Sequence, residues 1–170
     1  VNFWSWNLVI NTITYNFSNI YGNSCSQEVT HKRILFEENK RKFIGYNPDE
    51  KTVIRSIIDG CLITTGIRCD FLLVEKEKHL GCFIELKGSD IDHALEQLMA
   101  TINQIDNSFG NFISKKFSKK FAFVVSSQFP QIGTGIQNKM KNFAKQGIIL
   151  KIKNNQIIFD LKREELIDKV

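Results

Sequence analysis

Hydrophobic positions along the chain switch between a period of two and a period near 3.6, and each switch marks an element. Trp4, Trp6, Leu8 and Ile10 alternate with polar neighbours, as do Ile13, Tyr15 and Phe17, which predicts a strand or hairpin in the first 25 residues. Residues 27–44 carry Ile34, Leu35 and Phe36 ahead of Glu37, Glu38 and a basic run, and predict a helix. From Thr52 the pattern turns to strands. Val53 to Ile63 is rich in β-branched residues, with Asp59-Gly60 as a tight turn or a bulge and Thr64-Thr65-Gly66 as a second turn. Arg68 to Glu75 and Gly81 to Lys87 predict two strands joined by the charged turn Lys76 to Leu80.

Gly88-Ser89-Asp90 then supplies a break and a helix N-cap. Ile91, Ala94, Leu95, Leu98, Met99, Ile102 and Ile105 follow at helical spacing, predicting an amphipathic helix over 90–106. Lys120 to Ser126 predicts another strand. Ile132, Ile136, Met140, Phe143 and Ala144 predict a second helix, with Gly147 at its C-terminal stop. Ile148 to Ile152 and Gln156 to Leu161 flank Asn154-Asn155 as a hairpin, and the tail from Lys162 predicts a short helix. This order implies a single α/β domain with a central sheet: an extension over 1–26, a core over 27–126, and a C-terminal helix and hairpin over 127–170. The helix between Lys87 and Lys120 gives the crossover that parallel strands require.

Composition changes this picture little. A chain of 170 residues with 42% apolar content can bury a core without structural metal. A net charge of +5 fits a polyanionic partner, and it fits an ordinary soluble protein equally. No run reaches the roughly 18 apolar residues of a membrane span. The start, Val1-Asn2-Phe3-Trp4, lacks the basic region of a signal peptide. Of the cysteines, Cys25, Cys61, Cys69 and Cys82, no two form a CxxC pair, and the last three lie in apolar strand-like runs. They read as small buried hydrophobes in a reducing, cytoplasmic setting.

The chemistry is concentrated on two neighbouring strands. Glu85 and Lys87 are two apart, so they share one face of a strand whose other face is Cys82, Ile84 and Leu86. Charges in so apolar a segment need partners or a metal. Asp70 is a second anomaly, interrupting the run from Cys69 to Val74. A symmetric hairpin centred between Glu77 and Lys78 places Asp70 directly opposite Glu85, with Cβ atoms about 4.5–5.5 Å apart. Two carboxylates at that distance repel, and a hard divalent cation between them removes the conflict.

Asp70, fourteen residues, then Glu85-Leu86-Lys87 resembles the PD-(D/E)xK nuclease signature. The wider runs Arg68 to Leu73, Phe83 to Gly88 and His93 to Leu98 resemble small members of that superfamily, although Cys69 stands where the family often has Pro. The resemblance implies a restriction-endonuclease-like αβββαβ core with a mixed sheet flanked by helices. It also implies Mg²⁺ or Mn²⁺ held by Asp70, Glu85 and the backbone carbonyl of Leu86, with Lys87 orienting or deprotonating the attacking water, and DNA as substrate. Gln97 would lie near that site, where some members use a glutamine; otherwise it is an ordinary boundary residue. Glu37 or Glu38 would match a first-helix acid, or lie on a solvated face. Asp59 is a third metal ligand or a turn aspartate.

His93, one turn before Gln97, is a candidate phosphate contact or simply an exposed histidine. Lys115, Lys116, Lys119 and Lys120, with Lys139 on the second helix, are candidate phosphate contacts or a solubilising surface. A homodimer would suit the cutting of two strands. Two other readings stay open: a catalytically inactive nucleic-acid-binding or assembly subunit on the same fold, and a structural Asp70–Lys87 ion pair in an unrelated α/β protein.

Overall fold

Residues 27–44 do not form the expected helix. In the computed structural model, which describes residues 24–108, 115–128 and 131–170, they belong to three strands: β1 (Ser26–Val29), β2 (Arg33–Glu38) and β3 (Arg41–Tyr46). Ile34 and Phe36 are buried while Leu35 and Glu37 are exposed, a period of two that the contiguous apolar triplet disguises. Asn39 and Lys40 both take positive φ, 47° and 66°, the geometry of a two-residue turn between twisted strands. The alternating segment from Trp4 to Phe17 lies outside the described residues.

The chain continues through β4 (Val53–Ile57), β5 (Phe71–Glu75), β6 (Leu80–Lys87), α1 (Ile91–Ser108), β7 (Lys119–Ser126), α2 (Thr134–Lys145), β8 (Ile148–Asn154), β9 (Gln156–Asp160) and β10 (Glu165–Leu166). A mixed six-stranded sheet runs β1-β4-β5-β6-β7-β8. It is antiparallel as far as β6 and parallel from β6 to β8. Helix α1 makes the expected crossover, and the carboxylate of Asp90 accepts the backbone N–H of His93 at 3.0 Å as an N-cap. Gly147, at φ 67°, takes the left-handed conformation just past α2.

Two C-terminal expectations fail. Strands β8 and β9 do not form a hairpin about Asn154-Asn155; β9 leaves the large sheet and pairs in parallel with β3. A second, four-stranded sheet results, ordered β10-β9-β3-β2. Ile157, Ile158, Phe159 and Asp160 are all buried, which an outer strand of a simple hairpin does not achieve. Asn155 is the switch point. Its N–H donates to the Ser126 carbonyl at 2.8 Å in one sheet, and its own carbonyl accepts from the Lys42 N–H at 2.9 Å in the other. The tail from Lys162 forms a turn and β10 rather than a helix. The buried Asp160 carboxylate fixes that turn by accepting the N–H groups of Lys162 and Arg163.

Among the described residues the molecule is therefore α/β, with α1 and α2 packed on one face of the large sheet and the small sheet on the other. The expected flanking by helices is thus limited to one face, and the small sheet covers the other. Alternation along β6 distributes the two cores: Leu80, Cys82, Ile84 and Leu86 point to the small sheet, and Phe83 points to α1 and α2. Phe36, Phe43, Phe121, Phe123 and Phe159 fill the space between the sheets with tilted and stacked rings. On the helix side, Gly81 sits under Phe117: a Cβ there would lie 2.7 Å from the ring. Because Phe117 is buried and its ring is rigid, Gly81→Ala is expected to destabilise by about 1–3 kcal/mol. Chemical denaturation should show a lowered midpoint with an unchanged slope.

The cysteine expectation is half corrected. Cys69 and Cys82 are free and buried, as read. Cys25 and Cys61 are instead joined by a disulfide, across 36 positions of sequence, which ties the approach to β1 to the loop after β4. Among the described residues no helix is long and apolar enough to cross a membrane.

Candidate active site

The β5–β6 register is the one a turn centred between Glu77 and Lys78 dictates. Phe71 pairs with Ile84 and Glu75 with Leu80; the ladder ends at Phe71, and Asp70, in the bend just before it, reaches β6 through its carboxylate, which accepts the Leu86 N–H, and its backbone N–H, which bonds Glu85. The buried Glu75 carboxylate locks that turn by accepting the N–H groups of Glu77 and Lys78. Glu85 alternates with Ile84 and Leu86 and so lies on the face of β6 that α1 covers, near the strand's C-terminal end.

Burial dominates their electrostatics. Glu85 is 2% exposed, and its carboxyl is pushed up to about 8, first by desolvation and then by the charge of Asp70. Lys87 and the backbone N–H of Asp70 offset only part of this. Its Oε2 is buried and has no hydrogen-bond partner among the described residues. Asp70 is raised to about 6, again mainly by burial, although its Oδ2 accepts the Leu86 N–H at 2.7 Å. Two facing carboxyls with an unpartnered buried oxygen form a site that a cation would stabilise.

Helix α1 aims the third group. Lys87 Nζ donates to Gln97 Oε1 at 2.7 Å, and Gln97 Nε2 donates to the Arg68 carbonyl at 2.9 Å. One turn on, the Thr101 hydroxyl donates to the Gln97 carbonyl and accepts the Cys69 N–H at 2.7 Å. The helix is thus stitched to residues 68–69 immediately before Asp70. The lysine, the glutamine and the aspartate are held by one network. Gln97 touches Lys87 directly.

The structure separates the remaining candidates. Glu37 pairs with Lys42 on the surface, whereas Glu38 lies near enough to raise both Asp70 and Glu85. Glu38 sits at the end of a strand, not on a first helix, beside the largely buried Arg41. Asp59 does not join the two acids as a ligand; its carboxylate is held by the Arg68 guanidinium. Among the described residues no group of three or more His, Cys, Asp and Glu side chains is placed to hold a metal. His93 is half exposed and 3.5 Å from Glu96, and it lines an open recess of about 250 Å³ next to Gln97.

The lysine candidates are not brought to the acids. Lys120 pairs with Gly81 while Glu85 pairs with Val124, four steps along the strands or roughly 13 Å. Lys115 and Lys116 are exposed and precede that same end of β7, and Lys119 binds Glu164 there. Lys139 bonds Asp92 at 2.6 Å and Glu96 at 2.8 Å, fastening α2 to α1. Arg68 and Thr101 escaped notice in the sequence. Arg68 left one signal: it stands two residues before Asp70, on the same side of an extended segment.

No family model, curated protein or solved structure matches this chain.

Proposed function

We propose that the chain hydrolyses phosphodiester bonds in DNA, with a divalent cation, Mg²⁺ or Mn²⁺, held between Asp70 and Glu85. The observation that carries this is the buried carboxyl of Glu85 on β6 beside the partly buried carboxyl of Asp70 at the start of β5, with Lys87 two residues along on the same face as Glu85. The donor set suits a hard cation: two carboxylates and the Leu86 carbonyl, with water completing the shell, as Mg²⁺ prefers over an all-protein cage. The unpartnered Glu85 Oε2 supports it further, since an oxygen buried without a donor is costly unless something positive approaches it.

When bound, the cation supplies Lewis acidity and lowers the pKa of its water. The chain's own residues do the rest. Asp70 and Glu85 bind, and the Leu86 N–H fixes the rotamer of Asp70. Lys87 lies beside the position of the phosphate, offsets its charge and orients the attacking water. Gln97 keeps the lysine there by accepting a hydrogen bond from its ammonium group. This arrangement favours hydrolysis over the inactive-subunit reading, because every group the chemistry uses is present and preorganised.

The test is cleavage of plasmid or branched DNA with Mg²⁺ or Mn²⁺ by wild type and by Asp70→Ala. Cutting by wild type and none by the variant is expected; equal cutting by both removes Asp70 from the site. Gln97→Ala is expected to slow cleavage by roughly 10–100-fold, as the loss of an orienting partner does. A Gln97→Ala protein that cuts at the wild-type rate makes the glutamine merely structural.

A further inference from the structure

Beside Lys87 the surface opens into the recess lined by Asp59, Gly66, Ile67, Arg68, His93 and Gln97. Gln97 is shared: one end of its amide holds Lys87, and the residue forms a wall of the recess. The recess therefore begins where the candidate catalytic groups end. Among the described residues its one permanent cation is Arg68, which is kept in place from two sides. Its Nε donates to the Asp59 carboxylate and its Nη1 to the Gly66 carbonyl at 2.7 Å. Its side chain is 22% exposed and that of Asp59 is 51% exposed, so the carboxylate sits on the solvent side of the pair. A planar guanidinium held in a polar recess, with an exposed carboxylate laid against it, has the geometry of a phosphate contact occupied by a substitute from its own chain. Ile67, half exposed at the rim, offers apolar surface of the kind a sugar or base edge covers.

We propose that this recess is a phosphate subsite for the nucleic-acid strand, in which Arg68 binds a phosphate next to the one attacked and Asp59 occupies Arg68 until the strand displaces it. His93, in the first turn of α1, stands on the same recess as a second contact. The proposal rests on the nuclease reading for its substrate, and it adds an internal competitor to that reading. Asp59 and Arg68 then act with opposite signs: removing the arginine weakens binding, and removing the aspartate's charge strengthens it. A purely structural ion pair gives no such opposition, because breaking it from either side loosens the same loop.

The experiment is fluorescence-anisotropy binding of a short labelled DNA duplex to the full chain. It is run in an Asp70→Asn background so that cleavage does not intervene, across a salt series. Arg68→Ala is expected to weaken binding on the order of tenfold and to reduce the slope of log affinity against log salt by about 1. Arg68→Lys restores the salt slope without the full affinity, since an ammonium lacks the fork. Asp59→Asn tightens binding, and His93→Ala weakens it by less than Arg68→Ala does. Melting temperatures of all variants are measured alongside; a variant that does not fold is replaced by Arg68→Gln, for which the same loss is expected.

Unchanged binding by the Arg68 variants overturns the subsite, and so does weakened binding by a folded Asp59→Asn. If wild type binds DNA with this pattern but never cuts it, the nuclease reading fails and the subsite stands. If wild type binds no DNA, both fall.

Discussion

Glu85→Gln is expected to abolish cation-dependent cleavage and, in the same molecule, to stabilise the metal-free protein at pH 8. The first effect follows from the loss of one of two anionic ligands, for a rate decrease of at least about 10²–10³-fold, the scale of removing a principal electrostatic group. The second follows from the burial of Glu85 beside Asp70. Its carboxylate has an oxygen without a donor and faces a second negative charge. An amide of the same shape carries no charge, and its NH₂ can donate toward Asp70. The gain is about 1–3 kcal/mol, the usual penalty of an unsatisfied buried group. Cleavage assays and thermal melts in EDTA on one preparation measure both. Wild-type cutting by this variant removes Glu85 from the chemistry. A loss of stability at pH 8 instead makes the carboxylate a structural member of the core.

The pH dependence of the metal-free protein should run opposite to that of most carboxylate-rich domains. Asp70 moves from 3.8 to about 6 on folding and Glu85 from 4.5 to about 8. A carboxyl whose folded pKa lies above its unfolded one binds its proton more tightly in the native state. Its stabilisation is therefore complete below the unfolded pKa and is lost as pH rises through the folded pKa. Across pH 5 to 8 the EDTA-treated protein should lose stability, on the order of a few kcal/mol. Carboxyls held low, such as Glu164 with Lys119 and Lys78, act below this window. The same scan on Glu85→Gln subtracts every other group. Mg²⁺ or Mn²⁺ should then raise the melting temperature at pH 8 and do little at pH 5, where ligand protons compete. A flat profile, untouched by cation and identical in the variant, contradicts both the burial of the pair and its use as a metal site.

What could be read in advance was what local pattern controls. The turn from Glu75 to Leu80 is charged and nearly symmetric, so its centre sets the β5–β6 register, Phe71 with Ile84, beside which Asp70 and Glu85 lie. Ile91 to Ile105 keep helical spacing over four turns, and Asp90 caps them. Failures arose where the deciding partner is distant in sequence. Ile34-Leu35-Phe36 is a contiguous triplet that suits a helix as well as a strand; only β3 beside it and the Phe rings beneath it decide. Asn155 does take the positive φ of a turn, 62°, but the strand that follows is claimed by β3, more than a hundred residues earlier. The Gln97 link to Lys87 required the helix to be docked, and the Arg68–Asp59 pair required the loop between β4 and β5 to be closed.

The small sheet takes β2 and β3 from early in the chain and β9 and β10 from its last stretch. During synthesis, Phe36, Phe43, Phe121 and Phe123 all leave the ribosome before Ile157 and Phe159 exist to cover them. The helix-side core, built from β4 to β8 with α1 and α2, can assemble first, and the aromatic layer stays open until β9 emerges. A nascent chain halted near Asn155 would expose that layer to other chains, and a ribosome-bound or truncated form should be markedly more prone to aggregation than the finished protein.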